Sequence, residues 1–253
     1  KGIGNGISLL ILAGIIAGFP RSLQQEFFAF TPSALPSYIG FAAVALAVIA
    51  GVVVISEGER AIPVSYAKRI RGMRVYGGAS THLPLRVNQA GVIPIIFAIS
   101  IILFPGLIGS FLSGIPSPWV QQIANFLIQM FNTQWIYGIV YFLLVIIFTY
   151  FYTAVTFDPQ SLADNLQKQG GFILGIRPGR PTAAYLTHII SRLTLAGAVF
   201  LGVIAILPLS VQSIFSIRVL TIGGTAILIV VSVVIETVKQ INAQLVMREY
   251  ERI

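Results

Sequence analysis

Long apolar runs broken by short polar, charge-bearing segments set the pattern of this chain. Residues 2–20 carry no charge between Lys1 and Arg21, with ISLLILAGIIAGF at their centre. A second uncharged run follows Glu26 and ends at Ser56, and its helix is expected at 36–55. Residues 87–157 hold no charge at all. That run is too long for one helix, and Pro105-Gly106 followed by SGIPSP breaks it. It therefore divides into helices expected at 88–112 and 134–157. A fifth is expected at 183–208 and a sixth at 219–238. Each is long enough, at about 1.5 Å per residue, to cross a hydrocarbon layer of about 30 Å. Between the third and fourth, VQQIANFLIQMF at 120–131 has apolar residues at helical spacing. It fits a helix lying flat at the membrane interface and equally a packed loop helix.

Irregular backbone cannot face lipid, because each unpaired N–H or C=O costs several kcal/mol there. The pattern thus predicts an all-α membrane protein, a polytopic transmembrane bundle of six spans. Two spans lie in 1–56 and a basic loop in 57–88. Two more lie in 89–157, with a linker at 113–134. A second loop occupies 158–182, the last two spans 183–238, and a tail 239–253. Composition agrees: 56% of residues are hydrophobic and 9% charged, against about 25% charged in a soluble domain. Mean hydropathy is +0.90. There is no cysteine, which excludes disulfides and thiolate metal sites. The chain begins at Lys1, without Met or a signal peptide, and so reads as a piece of a longer protein.

Charge orients the bundle. The first loop holds Arg60, Lys68, Arg69, Arg71, Arg74 and Arg86; the second holds Lys168, Arg177 and Arg180, with Arg192 just inside the next helix. With Lys1, Lys239, Arg248 and Arg252 these make 14 of the 16 basic residues, leaving Arg21 and Arg218 on the other side. Cytoplasmic loops carry the excess of Lys and Arg, so both ends and both basic loops are expected in the cytoplasm.

The loops hold more charge than topology needs. AIPVSY at 61–66 and MRVY at 73–76 carry β-branched and aromatic residues, which suggests two extended arms of a projecting hairpin. Arginine there suits phosphate or carboxylate, which its planar fork grips bidentately. Anionic lipid, an acidic protein face and RNA phosphates all fit. In the second loop, DPQSLADNLQKQG reads as a short polar helix ended by Gly170, and GIRPGRP holds Arg177 and Arg180 in a Pro/Gly frame.

The spans exclude several classes. Their middles hold no Asp, Glu, Lys or Arg, which disfavours ion-coupled transport and proton relays. His82 and His188 stand in a loop and near a helix start, so no Ser–His pair lies at membrane depth. No HExxH, Walker A or GxGxxG motif occurs. Ile11 and Ile15 share one face of the first span, a pairing as consistent with packing as with a site. Pro94 and Pro105 interrupt the third span, marking a settled kink or a hinge.

Several motifs are more specific. GIGNGIS at 2–8, YAKR at 66–69, STHLPLRVNQAGVIP at 80–94, ADNL at 163–166, GIRPG at 175–179 and SRLTLAGA at 191–198 strongly resemble the bacterial SecY family, channel subunits of the protein-conducting translocon. RVYGGAS departs from the family at its glycines. The resemblance implies a ten-helix fold of which this chain is helices five to ten. The first four helices, the plug and half the lateral gate would lie in a missing N-terminal half. It further implies a pore ring including Ile11, Ile15, Ile96 and Ile229, and a lateral-gate wall bearing Asn88, Gln89, Pro94 and Phe104. Docking of the motor ATPase SecA or of ribosomal RNA phosphates would fall to Lys68, Arg69, Arg71, Arg74, Arg177 and Arg180. The implied partners also include SecE, SecG, the lipid bilayer and a secretory polypeptide with its signal sequence. The implied location is the bacterial inner membrane; no cofactor, metal or catalytic residue is implied. A six-helix small-solute transporter is the alternative reading of the spans alone.

Overall fold

The computed structural model of this chain describes residues 6–29, 32, 35–66, 69–71, 74–76, 80–215 and 224–250. Its helices are α1 (Gly6–Ala29), α2 (Leu35–Glu57), α3 (Ile93–Ser113), α4 (Pro118–Asn132), α5 (Gln134–Thr156), α6 (Pro159–Lys168), α7 (Arg180–Phe215) and α8 (Gly224–Tyr250). Short strands lie in the two basic loops: β1 (Glu59–Tyr66), β2 (Arg69–Arg71), β3 (Arg74–Tyr76), β4 (Ser80–Arg86) and β5 (Gly171–Ile173).

Among the described residues, four helical stretches are long and apolar enough to cross a membrane: Leu35–Glu57, Ile93–Ser113, Gln134–Lys168 and Arg180–Val211. They make this a multi-pass membrane protein. α1 and α8 occupy the places of the expected first and sixth spans, and α1 contributes the shorter apolar stretch Leu9–Gly18.

Among the described residues, two cores hold the molecule together. The first lies within the bundle, where α2, α3, α5 and α7 meet. Val48 and Val52 pack there with Ile95, Ala98 and Ile102, with Tyr141 and Val145, and with Leu201, Ile204 and Ala205. Two threonine hydroxyls inside this layer are satisfied locally, while the Tyr141 hydroxyl is buried without a hydrogen-bond partner. Thr149 donates to the Val145 carbonyl at 2.7 Å and Thr153 to the Thr149 carbonyl at 2.8 Å. Such backbonding hides a hydroxyl within its own helix, as a membrane interior requires. The second core lies at the strand-bearing end, where Ile62, Val64, Leu85 and Ile173 pack with Ala163 and Leu166 of α6 and with Ala183, Leu186, Ile189 and Ile190 of α7.

Several boundaries differ from the sequence reading. α1 runs on through Pro20 and Arg21 to Ala29. α3 starts at Ile93, not at 88, because Asn88 folds its side chain back onto Gly91. Gly91 N–H donates to Asn88 Oδ1 at 3.0 Å, and Asn88 Nδ2 donates to the Gly91 carbonyl at 3.3 Å. α7 has 36 residues, or about 54 Å at the α-helical rise. It outreaches a bilayer because its first turns belong to the second core, which the expected start at 183 overlooked. α8 continues to Tyr250, so most of the expected tail is helical. The linker helix α4 packs back on α3, with Ala124 fully buried, while Trp119, Ile123 and Phe126 stay exposed.

Candidate functional site

The two basic loops are one folded unit. β1 pairs antiparallel with β4 from Glu59↔Arg86 to Ser65↔Ser80, and with β5 from Val64↔Ile173 to Tyr66↔Gly171. The resulting sheet has the order β4-β1-β5. A strand of the second loop is thus hydrogen-bonded to a strand of the first, and α6 covers their shared core. Alternation builds it: Ile62 and Val64 point into the core while Ala61 and Pro63 stay exposed, the period-2 arrangement of a half-buried strand. Asp158 caps α6, its Oδ1 accepting the Gln160 N–H at 2.9 Å.

The expected hairpin arms do form strands, but they do not pair with each other. The 61–66 arm lies within β1, whose partners are β4 and β5. Arg74–Tyr76 is β3 and pairs instead with β2, in a second sheet of two strands. β4 and β5 went unread because STHLPLR served only as a motif and GFI spans three residues. The signal for β4 was present in Thr81, Leu83 and Leu85, apolar or β-branched at every second position.

Arg177 and Arg180 are exposed. A turn holds them: Ile176 N–H donates to the Ile173 carbonyl at 3.0 Å, and Gly175 and Gly179 take φ of 82° and 93°. Those angles belong to the left-handed region that glycine enters without steric cost. Thr182 Oγ1 then donates to the Arg177 carbonyl at 2.9 Å, pinning the backbone beneath the guanidinium. Among the described residues neither arginine is paired with a carboxylate. Two other cations near the sheet differ: Arg86 Nε lies 3.6 Å from Glu59 Oε1, and Lys239 Nζ lies 2.8 Å from Glu57 Oε2. In the β2–β3 pair, Arg69 stands opposite Tyr76 and Arg71 opposite Arg74 in register. Lys68 lies outside the described residues.

The candidate gate residues lie along α3 and its approach. Asn88 and Gln89 are half-buried, Pro94 is buried, and Phe104 is exposed near the middle of the helix. Pro94 sits in the first turn, where its missing N–H leaves no bond unmade; Pro105 alone interrupts the interior. A crevice of about 660 Å³ opens at this end, lined by Arg86, Asn88, Gln89, Tyr152, Ser232 and Lys239 among others. Gln89 Oε1 is buried there without a hydrogen-bond partner.

The four candidate ring isoleucines are all half-buried. Ile11 and Ile15 lie on α1, which packs against α8, the helix of Ile229. Ile96 lies on α3, whose main neighbours are α4 and α5.

Known proteins resemble this chain in sequence and fold. The family model for SecY matches residues 1–238. Relatives named protein translocase subunit SecY are 49% identical over 99% of this chain in Mycobacterium bovis and 45% identical over 99% in Thermotoga maritima. The chain spans 58% and 56% of the length of those two relatives. Two solved structures share the fold. One is described as "The structure of a protein conducting channel" (TM-score 0.58, 21% identity, 94% of this chain and 59% of that one). The other concerns the plug domain of the SecY protein in the closed state of the translocation channel (TM-score 0.59, 22% identity, 94% and 59%). The chain belongs to the SecY family.

Proposed function

We propose that this chain forms part of the wall of a protein-conducting channel, passing unfolded polypeptide across the membrane and releasing apolar helices into it. One observation carries the reading: relatives named protein translocase subunit SecY align with 99% of this chain. The β end faces the cytoplasm of a bacterial cell, because the excess of basic residues lies there. Its exposed Arg177 and Arg180, with Lys68, Arg69, Arg71 and Arg74, dock SecA or the ribosome. SecE, SecG and the N-terminal half of the same protein complete the channel around these helices.

α3 is a wall of the lateral gate, with Asn88, Gln89 and Pro94 at its hinge end and Phe104 toward lipid. Ile11, Ile15, Ile96 and Ile229 contribute to an aliphatic ring that seals around the passing chain. Such a constriction excludes water by dewetting, and branched aliphatic groups accept varied substrates without a fixed hydrogen-bond code. The small-solute transporter reading lacks such support, because the relatives that align with 99% of this chain are named as protein translocase subunits.

Ile229→Asn tests the seal. An amide in the ring lowers the dewetting barrier, so ion leak should rise severalfold and precursors with defective signal sequences should pass. Unchanged leak together with unchanged signal discrimination would remove Ile229 from the ring.

A further inference from the structure

β4 runs directly into α3 through a short joint, and α7 holds that joint in a socket. Val87 N–H donates to the Gly58 carbonyl at 2.9 Å. A Cβ on Gly58 would stand 3.3 Å from Val87 Cγ2. On the other side, a Cβ on Gly197 would come within 2.8 Å of the Val87 carbonyl oxygen, 3.6 Å of its carbon and 3.7 Å of Asn88 Cα. Real Cβ atoms essentially never approach to 2.8 Å, so at position 197 of α7 only hydrogen fits. Two residues past Asn88 and Gln89, the Asn88–Gly91 hydrogen bonds close the joint and α3 begins.

The obstacle at Gly197 is backbone, and a backbone carbonyl cannot swing aside as a side-chain tip can. Any added atom must displace the Val87–Asn88 peptide, and with it the start of α3. α7 also carries Leu186 and Ile190 of the core beneath the arginine loops. One rigid helix therefore touches both the docking sheet and the root of α3.

We infer that Gly197 is a positioning residue: it seats the β4–α3 joint against α7 and thereby sets the stance of α3 relative to the docking sheet. The gating consequence rests on the reading of α3 as a wall of the lateral gate; the seating does not.

The test uses the full-length protein with its membrane partners, in vesicles. Gly197→Ala is compared with Gly202→Ala, an identical change five residues along α7. There the new Cβ would meet the ring of Phe142 at 2.6 Å, a side chain able to shift. Two readouts are taken: hydrogen exchange of residues 92–98, and the translocation ratio of precursors with defective and intact signal sequences. Gly197→Ala should speed exchange at the start of α3 and change the ratio by about fivefold or more, the lower edge of coupling between sites. Gly202→Ala should do neither. Equal exchange in wild type and Gly197→Ala would overturn the inference. So would equal effects of the two alanines, since helix stiffening would then suffice. If Gly197→Ala does not accumulate, Val87→Ala loosens the same joint at Gly58; unaltered exchange in that variant also overturns it. Faster exchange in a protein whose wild type moves no precursor would sustain the joint and refute the channel reading instead.

Discussion

Arg177→Glu should abolish driver-dependent translocation, if the GIRPG turn docks the driver as proposed, while leaving folding and membrane insertion intact. Both halves follow from the geometry. The Arg177 side chain is exposed and has no carboxylate partner among the described residues, so its replacement removes no ion pair among them. Exposed substitutions of that kind shift stability by about 0.5 kcal/mol or less. The backbone beneath is held by Thr182 and by two glycines with positive φ, and these remain. Docking suffers twice, because a cation is lost and a like charge is set against phosphate or carboxylate. Like-charge juxtaposition costs several kcal/mol, so binding should fall more than about a hundredfold, at 1.4 kcal/mol per decade. Were the ribosome the driver, Arg177→Gln should also lower the salt dependence of binding by about one phosphate contact. The measurement is vesicle translocation beside driver binding at two salt concentrations. Full activity in Arg177→Glu would show that the GIRPG turn does not dock.

Leu186→Ala should unfold the strand-bearing end from within. Leu186 is fully buried at the centre of the second core, on α7, beneath β1, β5 and α6. Truncating a buried leucine costs about 2–5 kcal/mol through lost transfer energy and the cavity left behind. That exceeds what a three-stranded sheet with one short helix can spare. β1 is shared by both loops, so the arginine hairpin and the GIRPG turn should lose their frame together. Limited proteolysis should cut within both loops at once, and driver binding should fall in parallel. Cleavage confined to residues 158–182, with the 57–88 loop still protected, would show that the loops fold independently.

The spans were legible because membrane helices announce themselves by uncharged length. Residues 87–157 could not be one helix, and α3 and α5 stand there with α4 between them; the break falls at 114–117, within SGIPSP, while α3 runs through Pro105 to Ser113. The ends of the helices were less legible. Asn88 was assigned to a helix because VNQAGVIP is uncharged, yet a short amide side chain can close a turn on its own backbone, and at Gly91 it does. α7 was started at 183 and stopped at 208 because hydropathy measures lipid contact. Leu186 and Ile190 are apolar for a different reason, a protein core outside the bilayer. The union of the loops was invisible for a related cause. β5 is three residues long, and its pairing with β1 joins segments about a hundred residues apart, which no local pattern encodes. The arginines are legible from charge density, from the Pro/Gly frame of GIRPGRP and from the family resemblance; the structure adds the turn beneath Arg177 and Arg180 and the β2–β3 pairing of Arg69, Arg71 and Arg74. Gly197 stands within the SRLTLAGA motif, but a glycine within an apolar helix reads as ordinary close packing until the carbonyl facing it is seen.

The central claim is that these helices line a conduit for polypeptide. A photoreactive residue placed at Ile96, with a matched control at Ile147 on the exposed face of α5, tests it in the full-length protein during arrested translocation. The account predicts adducts between position 96 and the arrested polypeptide, and adducts with lipid alone from position 147. Lipid adducts from both positions, with the polypeptide attached at neither, would contradict it.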